Sequence, residues 1–137
     1  MALTLMESAA LLARLYWFEQ RCFEVLGSWV ASTPEPAIKA MLGVQSGHHG
    51  WHAELFEARF PRGYDADFAV QTAAAAQDLG PVLSALASPT DTVSRLAGFY
   101  RAAVPAKVAV YNHWLECSST LAESPVQRSL KMVSMTR

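Results

Sequence analysis

The chain has 137 residues, enough for one domain with a real hydrophobic core. Its formal net charge of −1 excludes the basic surface that binds nucleic acid or an anionic membrane, and no apolar run approaches the length of a membrane span. Hydrophobic residues make up 52% of the chain and charged residues only 17%. Because so few charges cannot cover every face, we expect some apolar surface to meet a partner.

The cysteines and the N-terminal segment both bear on the compartment. Cys22 and Cys117 lie far apart and form no CxxC pair, which is typical of a protein in a reducing environment. The N-terminal segment carries Glu7 in a helical pattern and has no basic stretch before its apolar residues, unlike a secretory signal. We therefore predict a cytoplasmic protein that neither binds nucleic acid nor enters a membrane.

The first predicted helix runs from about Leu3 to Ala31 and has a carboxylate in the middle of its core face. Glu19 lies at the centre of that face, with aliphatic or aromatic residues one turn before and after it. A buried carboxylate is costly unless it is paired, ligated or protonated. Two interpretations stay open: a hydrogen bond to a neighbouring Tyr, Arg or His, or a ligand or acid–base role. The face comprises Leu5, Ser8, Leu12, Leu15, Tyr16, Glu19, Cys22, Phe23, Leu26 and Val30.

A second apolar stripe follows the flank of the same helix. Phe18, Cys22, Val25 and Trp29 succeed one another at intervals of four, three and four residues. A helix that is apolar on more than one side is buried on more than one side. We expect the cover to be another subunit or a further helix, and we predict a homodimer or larger assembly through Phe18, Val25 and Trp29.

Three of the four histidines lie close together in the second predicted helix. They occur in the segment Ser46–Leu55, which sits in a stretch whose apolar residues repeat at helical spacing. His49 and His52 project onto the core face of that helix, and His48 lies at its edge. Imidazoles on a core face indicate either a metal or proton-handling site or a hydrogen-bonded polar core.

The short turn between the first two helices brings Glu19 and the histidines to one height. Residues 32–36 form this turn, with Thr33 as the predicted N-cap of the second helix, so the two helices should be antiparallel neighbours. Glu19 precedes Thr33 by as many residues as Gly47 follows it. The first two histidines of the cluster are therefore expected level with Glu19, and the third about one turn further along.

A third helix is predicted to begin at Ser88, its N-cap, and to run to about Leu121. Pro105 should kink it, and His113 lies at the edge of its core stripe. That stripe includes Leu96, Phe99, Ala103, Ala106, Val110 and Trp114.

The segments on either side of the third helix predict a long connection and a short final helix. Residues 62–90 hold an alanine-rich piece (68–78) and a short apolar piece (81–87), so we expect a long connection with at most short helices. A short fourth helix follows the cap at Ser124 and carries no Asp, Glu or His. Its inward residues are predicted to be Val126, Leu130 and Val133.

Four helices with a short first turn, a long second connection and ligand-type residues in mid-helix resemble the ferritin-like superfamily. In its di-iron members the first and third helices each give a Glu, and the second and fourth each give Glu-x-x-His. Glu19 matches the first position, and residues 49–52 (His-Gly-Trp-His) match the second motif with His49 replacing the glutamate. Glu116 is the nearest residue to the third position, and the fourth motif is absent. The segment Leu15–Leu55 particularly resembles small actinobacterial-type ferritin-like proteins of unassigned activity, in which a longer, acidic fourth helix would follow.

This resemblance implies one domain over residues 1–137, an all-α, up-down four-helix bundle with a long connection between helices 2 and 3 and a short fourth helix. It also implies a degenerate, histidine-rich site for one iron or zinc ion, with any reaction linked to oxygen or peroxide. The expected ligands are Glu19, His49 and His52, with His48, His113 or Glu116 in addition.

Two alternatives stay open at this point. The absent fourth motif, the short fourth helix and the low charge fit a bundle that serves as a non-catalytic structural or interaction subunit. The His48/His52 pair, four residues apart, also resembles the HxxxH pair of DinB-like metal-dependent bundles, for which His113 would be the third ligand.

Overall fold

The computed structural model describes residues 4–63, 67–117 and 124–135, and all regular structure in these ranges is helical. The helices are α1 (Leu5–Ser32), α2 (Pro36–Arg59), α3 (Phe68–Ala87), α4 (Thr92–Gly98), a π-helical turn (Phe99–Ala103), α5 (Val104–Cys117) and α6 (Ser124–Met135). The predicted all-α class is thus confirmed for the described part of the chain. Within that part, each helix is too short or too polar to cross a membrane.

The α1–α2 hairpin is the scaffold on which the candidate site is built. The Ser46 hydroxyl donates a hydrogen bond to the Phe23 carbonyl over 2.8 Å and so links the two helices in mid-length. Close approach accompanies this bond, since a β-carbon at Gly27 would lie 3.3 Å from Ser46 Oγ and one at Gly50 would lie 3.1 Å from the Phe23 ring. These contacts fix the register, and the predicted level of Glu19 with the histidine cluster is confirmed.

Thr33 and Ser88, which were predicted to be helix N-caps, instead lie at the C-terminal ends of the preceding helices α1 and α3. Thr33 Oγ1 donates to the Trp29 carbonyl (2.7 Å), and Ser88 Oγ donates to the Ala85 carbonyl (2.8 Å). The following helices begin differently, because α4 is capped by Asp91 and α2 has no side-chain cap. Both N-cap predictions were wrong, since a hydroxyl between two helices can bond to a carbonyl behind it as well as to an amide ahead.

The segment predicted as a long connection contains one complete helix. α3 runs without interruption from Phe68 to Ala87, and the side chain of its N-cap, Asp67, accepts a hydrogen bond from the Val70 amide (3.1 Å). It passes through Pro81, which is exposed, and it buries Leu83. The expectation of short helices was wrong, because alanine-rich propensity and burial against α1 outweigh the one lost hydrogen bond at the proline.

Pro105 is accommodated by a π-helical turn just before it. The amide of Val104 bonds to the carbonyl of Phe99, five residues back, instead of the usual four. Proline has no amide hydrogen, and its ring collides with the carbonyl four residues earlier in a regular helix, so a wider turn relieves both constraints. The kink predicted from the sequence therefore takes the form of one inserted residue.

The inserted residue moves the core face of the two turns after it on by one position, whereas Trp114, predicted to be core, is buried as expected. The buried residues after the turn are Lys107, Tyr111 and Trp114, whereas Ala106 and Val110, which were predicted to be core, are exposed. One residue corresponds to about 100° of rotation around a helix, enough to move a residue from the centre of the core face to its edge or beyond. This correction brings a lysine and a tyrosine into the core. Leu121, the predicted end of this helix, lies outside the described residues.

The apolar core divides into two clusters. One is built from α1, α2, α5 and α6, and the inward direction predicted for the last helix is confirmed because Val126, Leu130 and Val133 are buried in it. The other is built from α1, α2, α3 and the π-helical turn. Along α1, Leu15 belongs to the first cluster and Cys22 to the second, and Glu19 falls between them. A polar layer therefore separates the two clusters.

The second apolar stripe of α1 is covered within this chain. Val25 and Trp29 are buried, and the Trp29 ring packs edge-on against Phe99 with 6.4 Å between the ring centroids. Phe18 is partly buried against the same cluster. A homodimer through these three residues stays a prediction, and the burial that suggested it is supplied by the chain's own helices.

The exposed glycines of α2 predict a gain in stability. Nothing lies within 4 Å of a β-carbon added at Gly43 or at Gly47, so alanine at either position should raise the free energy of unfolding by up to about 1 kcal/mol. Alanine at Gly50 should gain less or destabilise, because its β-carbon would lie 3.1 Å from the Phe23 ring. Urea unfolding of the three variants checks this order, and a loss of stability in Gly43→Ala and Gly47→Ala would contradict it.

Candidate functional site

Glu19 lies at the centre of the polar layer and has no exposed surface. Its Oε1 accepts hydrogen bonds from the Lys107 ammonium (2.6 Å) and from the Tyr111 hydroxyl, and its Oε2 contacts Nδ1 of His49 at 2.5 Å. Nδ1 of His52 lies 3.6 Å from the same Oε2. The carboxylate thus gathers side chains from α2 and α5 around one residue of α1.

The contact between His49 and Glu19 fixes the tautomer of the imidazole. A bare ring nitrogen and a carboxylate oxygen are both acceptors and would repel each other at 2.5 Å, so Nδ1 of His49 carries the proton and donates it to Glu19. The same nitrogen lies 3.4 Å from Nζ of Lys107, and a protonated Nδ1 cannot accept a hydrogen bond from it. Lys107 therefore has donors that Glu19 does not use.

The buried ion pair between Glu19 and Lys107 dominates the electrostatics of the site. Burial alone raises the pKa of the Glu19 carboxyl, but the adjacent His49 and His52 and the Lys107 charge outweigh it and hold that pKa well below its ordinary value. Burial lowers the pKa of His49, and burial with the nearby Glu19 raises the pKa of Tyr111 well above its ordinary value. The resting site is thus an ionised carboxylate, an ammonium, a neutral imidazole and a neutral phenol.

Three of the six predicted ligands converge. Glu19, His49 and His52 are buried and each offers one ligand atom, and these atoms all lie within 4.8 Å of one another. His113 and Glu116 are exposed on α5 and lie outside this group. His113 was predicted at the edge of the core stripe and Glu116 only as the nearest residue to a family position, and the structure does not bring either into the site.

His48, the sixth candidate, lines a small cavity beside the group. The cavity has a volume of about 220 Å³, and its walls also include the two ligand histidines, Gln45, Tyr100, Val104 and Lys107. Nδ1 of His48 is buried and has no hydrogen-bond partner among the described residues. His48 was predicted at the edge of the core face of α2. It lies beside the group of Glu19, His49 and His52 but does not belong to that group.

The donor set is chemically suited to a transition metal, with one obstacle. Two ligands about 2.1 Å from a tetrahedral ion lie roughly 3.4 Å apart. The 3.6 Å between Glu19 Oε2 and His52 Nδ1 is close to this value, whereas the 2.5 Å to His49 Nδ1 is too short and describes a hydrogen bond. Ligation through this nitrogen would require it to lose its proton and to separate from Oε2, and the ion would share the carboxylate with the Lys107 ammonium.

Lys107 and Tyr111 are the site residues that sequence reasoning missed. The predicted core stripe did not include Tyr111, and in a regular helix Lys107 lies only at the edge of that stripe, about 50° from its centre. The available signal was Pro105, because a proline inside a helix that otherwise keeps its apolar period indicates a local change of register. That change, applied downstream, predicts a lysine and a tyrosine facing Glu19.

The chain was compared with models of known protein families, with curated proteins and with solved structures, and none of the three comparisons finds a match. The geometry of the site is therefore the evidence from which a function is inferred.

The polar layer predicts strong coupling between Glu19 and Lys107. Lys107→Met leaves a buried carboxylate without its counter-charge and should lower the free energy of unfolding by about 3–5 kcal/mol. Glu19→Gln with Lys107→Met removes both charges, so the double variant should lose less than the sum of the two single losses.

Urea unfolding of chelator-treated protein measures this double-mutant cycle. The exposed Arg14–Asp78 pair, 2.9 Å apart, is the control, since Arg14→Met should change stability by no more than about 1 kcal/mol. Additive losses in the Glu19/Lys107 cycle would contradict the assigned ion pair.

Proposed function

We propose that this chain is a ferritin-like helical-bundle protein that binds one transition-metal ion through Glu19, His49 and His52. The observation that carries the proposal is the convergence of three buried ligand-type side chains from two helices, with ligand atoms within 4.8 Å of one another. A mixed set of imidazole and carboxylate ligands suits zinc or iron.

The helix order supports the ferritin-like part of the proposal. α1 and α2 form the first hairpin. The consecutive elements α4, the π-helical turn and α5 together correspond to the third long helix, and α6 corresponds to a short fourth helix. α3 then belongs to the long connection between the second and third bundle helices. In this assignment Glu19 and the motif at residues 49–52 would correspond to the first two ligand groups of the di-iron members of the superfamily.

The chain's own residues decide how an ion would be held. The two histidines and Oε2 of Glu19 would be its ligands, while Lys107 and Tyr111 hold Oε1 and orient the carboxylate. A bound ion would supply a Lewis acid, and in the case of iron a redox centre. Because Lys107 already neutralises Glu19, the group offers a divalent cation less negative charge than a carboxylate-rich site does, and we expect moderate affinity.

One observation favours a second candidate function. Both oxygens of the Glu19 carboxylate already accept hydrogen bonds from Lys107, Tyr111 or His49, so the carboxylate is satisfied without an ion. This is the arrangement expected of a bundle that serves as a structural or interaction subunit, with the polar layer specifying how its helices pair. The DinB-like alternative needs His113, which is exposed on α5 and does not belong to the converging group of Glu19, His49 and His52.

Metal analysis distinguishes the two functions. Protein prepared without a polyhistidine tag, stripped and then dialysed against Zn²⁺ or, without oxygen, Fe²⁺, should retain about one equivalent and gain stability as the free ion exceeds its dissociation constant. His52→Ala should abolish retention, whereas His113→Ala, which removes an exposed histidine, should not. Less than about a tenth of an equivalent, or equal retention in the two variants, would contradict metal binding.

Lys107 offers a sharper test of the same site. Lys107→Met removes the cation that competes for Glu19, so the variant should bind Zn²⁺ more tightly than the natural chain and should be rescued by the ion from its loss of stability. Isothermal calorimetry gives the affinity, and thermal unfolding with and without Zn²⁺ gives the rescue. A variant that stays destabilised at saturating Zn²⁺ would favour the structural function.

A further inference from the structure

The solvent-facing side of α2 carries an apolar surface that no charge interrupts. Val44 is 58% exposed and Trp51 40%, and the neighbouring Phe23 of α1 is 41% exposed. Residues 40–53 contain no Asp, Glu, Lys or Arg, so the uncharged stretch extends over about four helical turns. The centres of protein–protein interfaces are depleted of charged residues and enriched in aromatic ones. This surface therefore has the composition of an interface centre.

The middle of this surface is open helix backbone. Nothing lies within 4 Å of a β-carbon added at Gly43 or at Gly47. Both glycines are exposed, and they lie on the side of α2 that points away from the buried His49. Val44 and Trp51 project beside them, which leaves room for a second helix to approach closely and to pack against these side chains.

Two opposite charges bracket the uncharged stretch. Lys39 precedes Gly47 by eight residues and Glu54 follows it by seven, so they lie about 12 Å and 10 Å from it along the helix axis, about 60° apart around the helix. Neither forms an ion pair with another described residue. Lys39 lies in the first turn of α2, where the helix dipole favours a negative charge, so this order of charges does not stabilise the helix itself.

A surface with a positive charge at one end and a negative charge at the other is complementary to an antiparallel copy of itself. A two-fold axis through Gly47 places Lys39 beside the partner's Glu54 and repeats the same pair at the opposite end. The same axis places Val44 beside the partner's Trp51, with the exposed glycines of the two copies facing each other. Charge, shape and apolar surface thus agree on one arrangement.

We propose that two copies of this chain associate through the exposed face of α2 in an antiparallel, two-fold dimer. The apolar side chains supply the buried area, the glycines allow close approach, and the two pairs of Lys39 with Glu54 specify the direction. The contact is about 22 Å long and covers one helix face, so the dimer is reversible and its population depends on concentration. This face is distinct from the flank of α1, where Val25 and Trp29 are buried by the chain's own helices.

The test is analytical ultracentrifugation of chelator-treated, untagged protein with charge-exchange variants. Lys39→Glu places two like-charged pairs in the dimer, as does Glu54→Lys, and each variant should self-associate at least about tenfold more weakly than the natural chain. An equimolar mixture of the two variants should associate as the natural chain does, because both pairs in the mixed dimer again have opposite charges. Arg101→Glu makes the same charge change at an exposed position on the π-helical turn and should leave the dissociation constant unaltered.

Gly47→Leu tests the close approach separately. The added side chain projects into solvent in the monomer, so urea unfolding of dilute protein should show no loss of stability, whereas the dimer should be lost. A dimer that survives this change uses another surface and would overturn the proposal.

The remaining outcomes are equally decisive. A natural chain that stays monomeric up to about 1 mM would leave this face to a different protein and would overturn the proposal. Undiminished self-association of the two charge variants, or a mixture of them that associates no better than either alone, would also overturn it. Because the protein is metal-free, a failure to bind Zn²⁺ in the separate metal analysis would leave these results unchanged.

Discussion

The buried carboxylate of Glu19 is the constraint on which the rest of this structure depends. An ionised group without solvent contact has to be surrounded by donors and counter-charge, because isolated burial would cost far more than a domain's net stability. Here α2 supplies imidazoles and α5 supplies an ammonium and a phenol. Helices that could otherwise slide past one another are thereby held in a single register.

This polar layer also explains why the core is divided. Apolar contacts alone are tolerant of shifts between helices, since many arrangements bury similar areas. A layer of directional hydrogen bonds between two apolar clusters does not tolerate such shifts. Sliding one helix by a single residue would leave a buried charge unpaired. The same layer contains the three converging ligand-type side chains, so the feature that holds the helices in register is also the one we propose as a metal site.

About half of the residues of the candidate site could be predicted from the sequence. The hairpin register placed Glu19 level with the histidines because both helices are regular and joined by a short turn, so counting residues is enough. Lys107 and Tyr111 could not be placed by counting, since the π-helical turn before Pro105 adds one residue and rotates the downstream face. His113, predicted at the edge of the core stripe, and Glu116 are exposed on α5. Helical periodicity fails where the helix is not regular.

The sequence by itself determined the all-α class, the first hairpin, the inward face of the last helix and the meeting of Glu19 with His49 and His52, because each follows from local period and short-range geometry. Only the tertiary structure decided which groups neutralise the carboxylate, that residues 68–87 form one helix, and where the cavity lies. These depend on packing between segments far apart in the chain. Lys107 is 88 residues from Glu19, and no local pattern reaches over that separation.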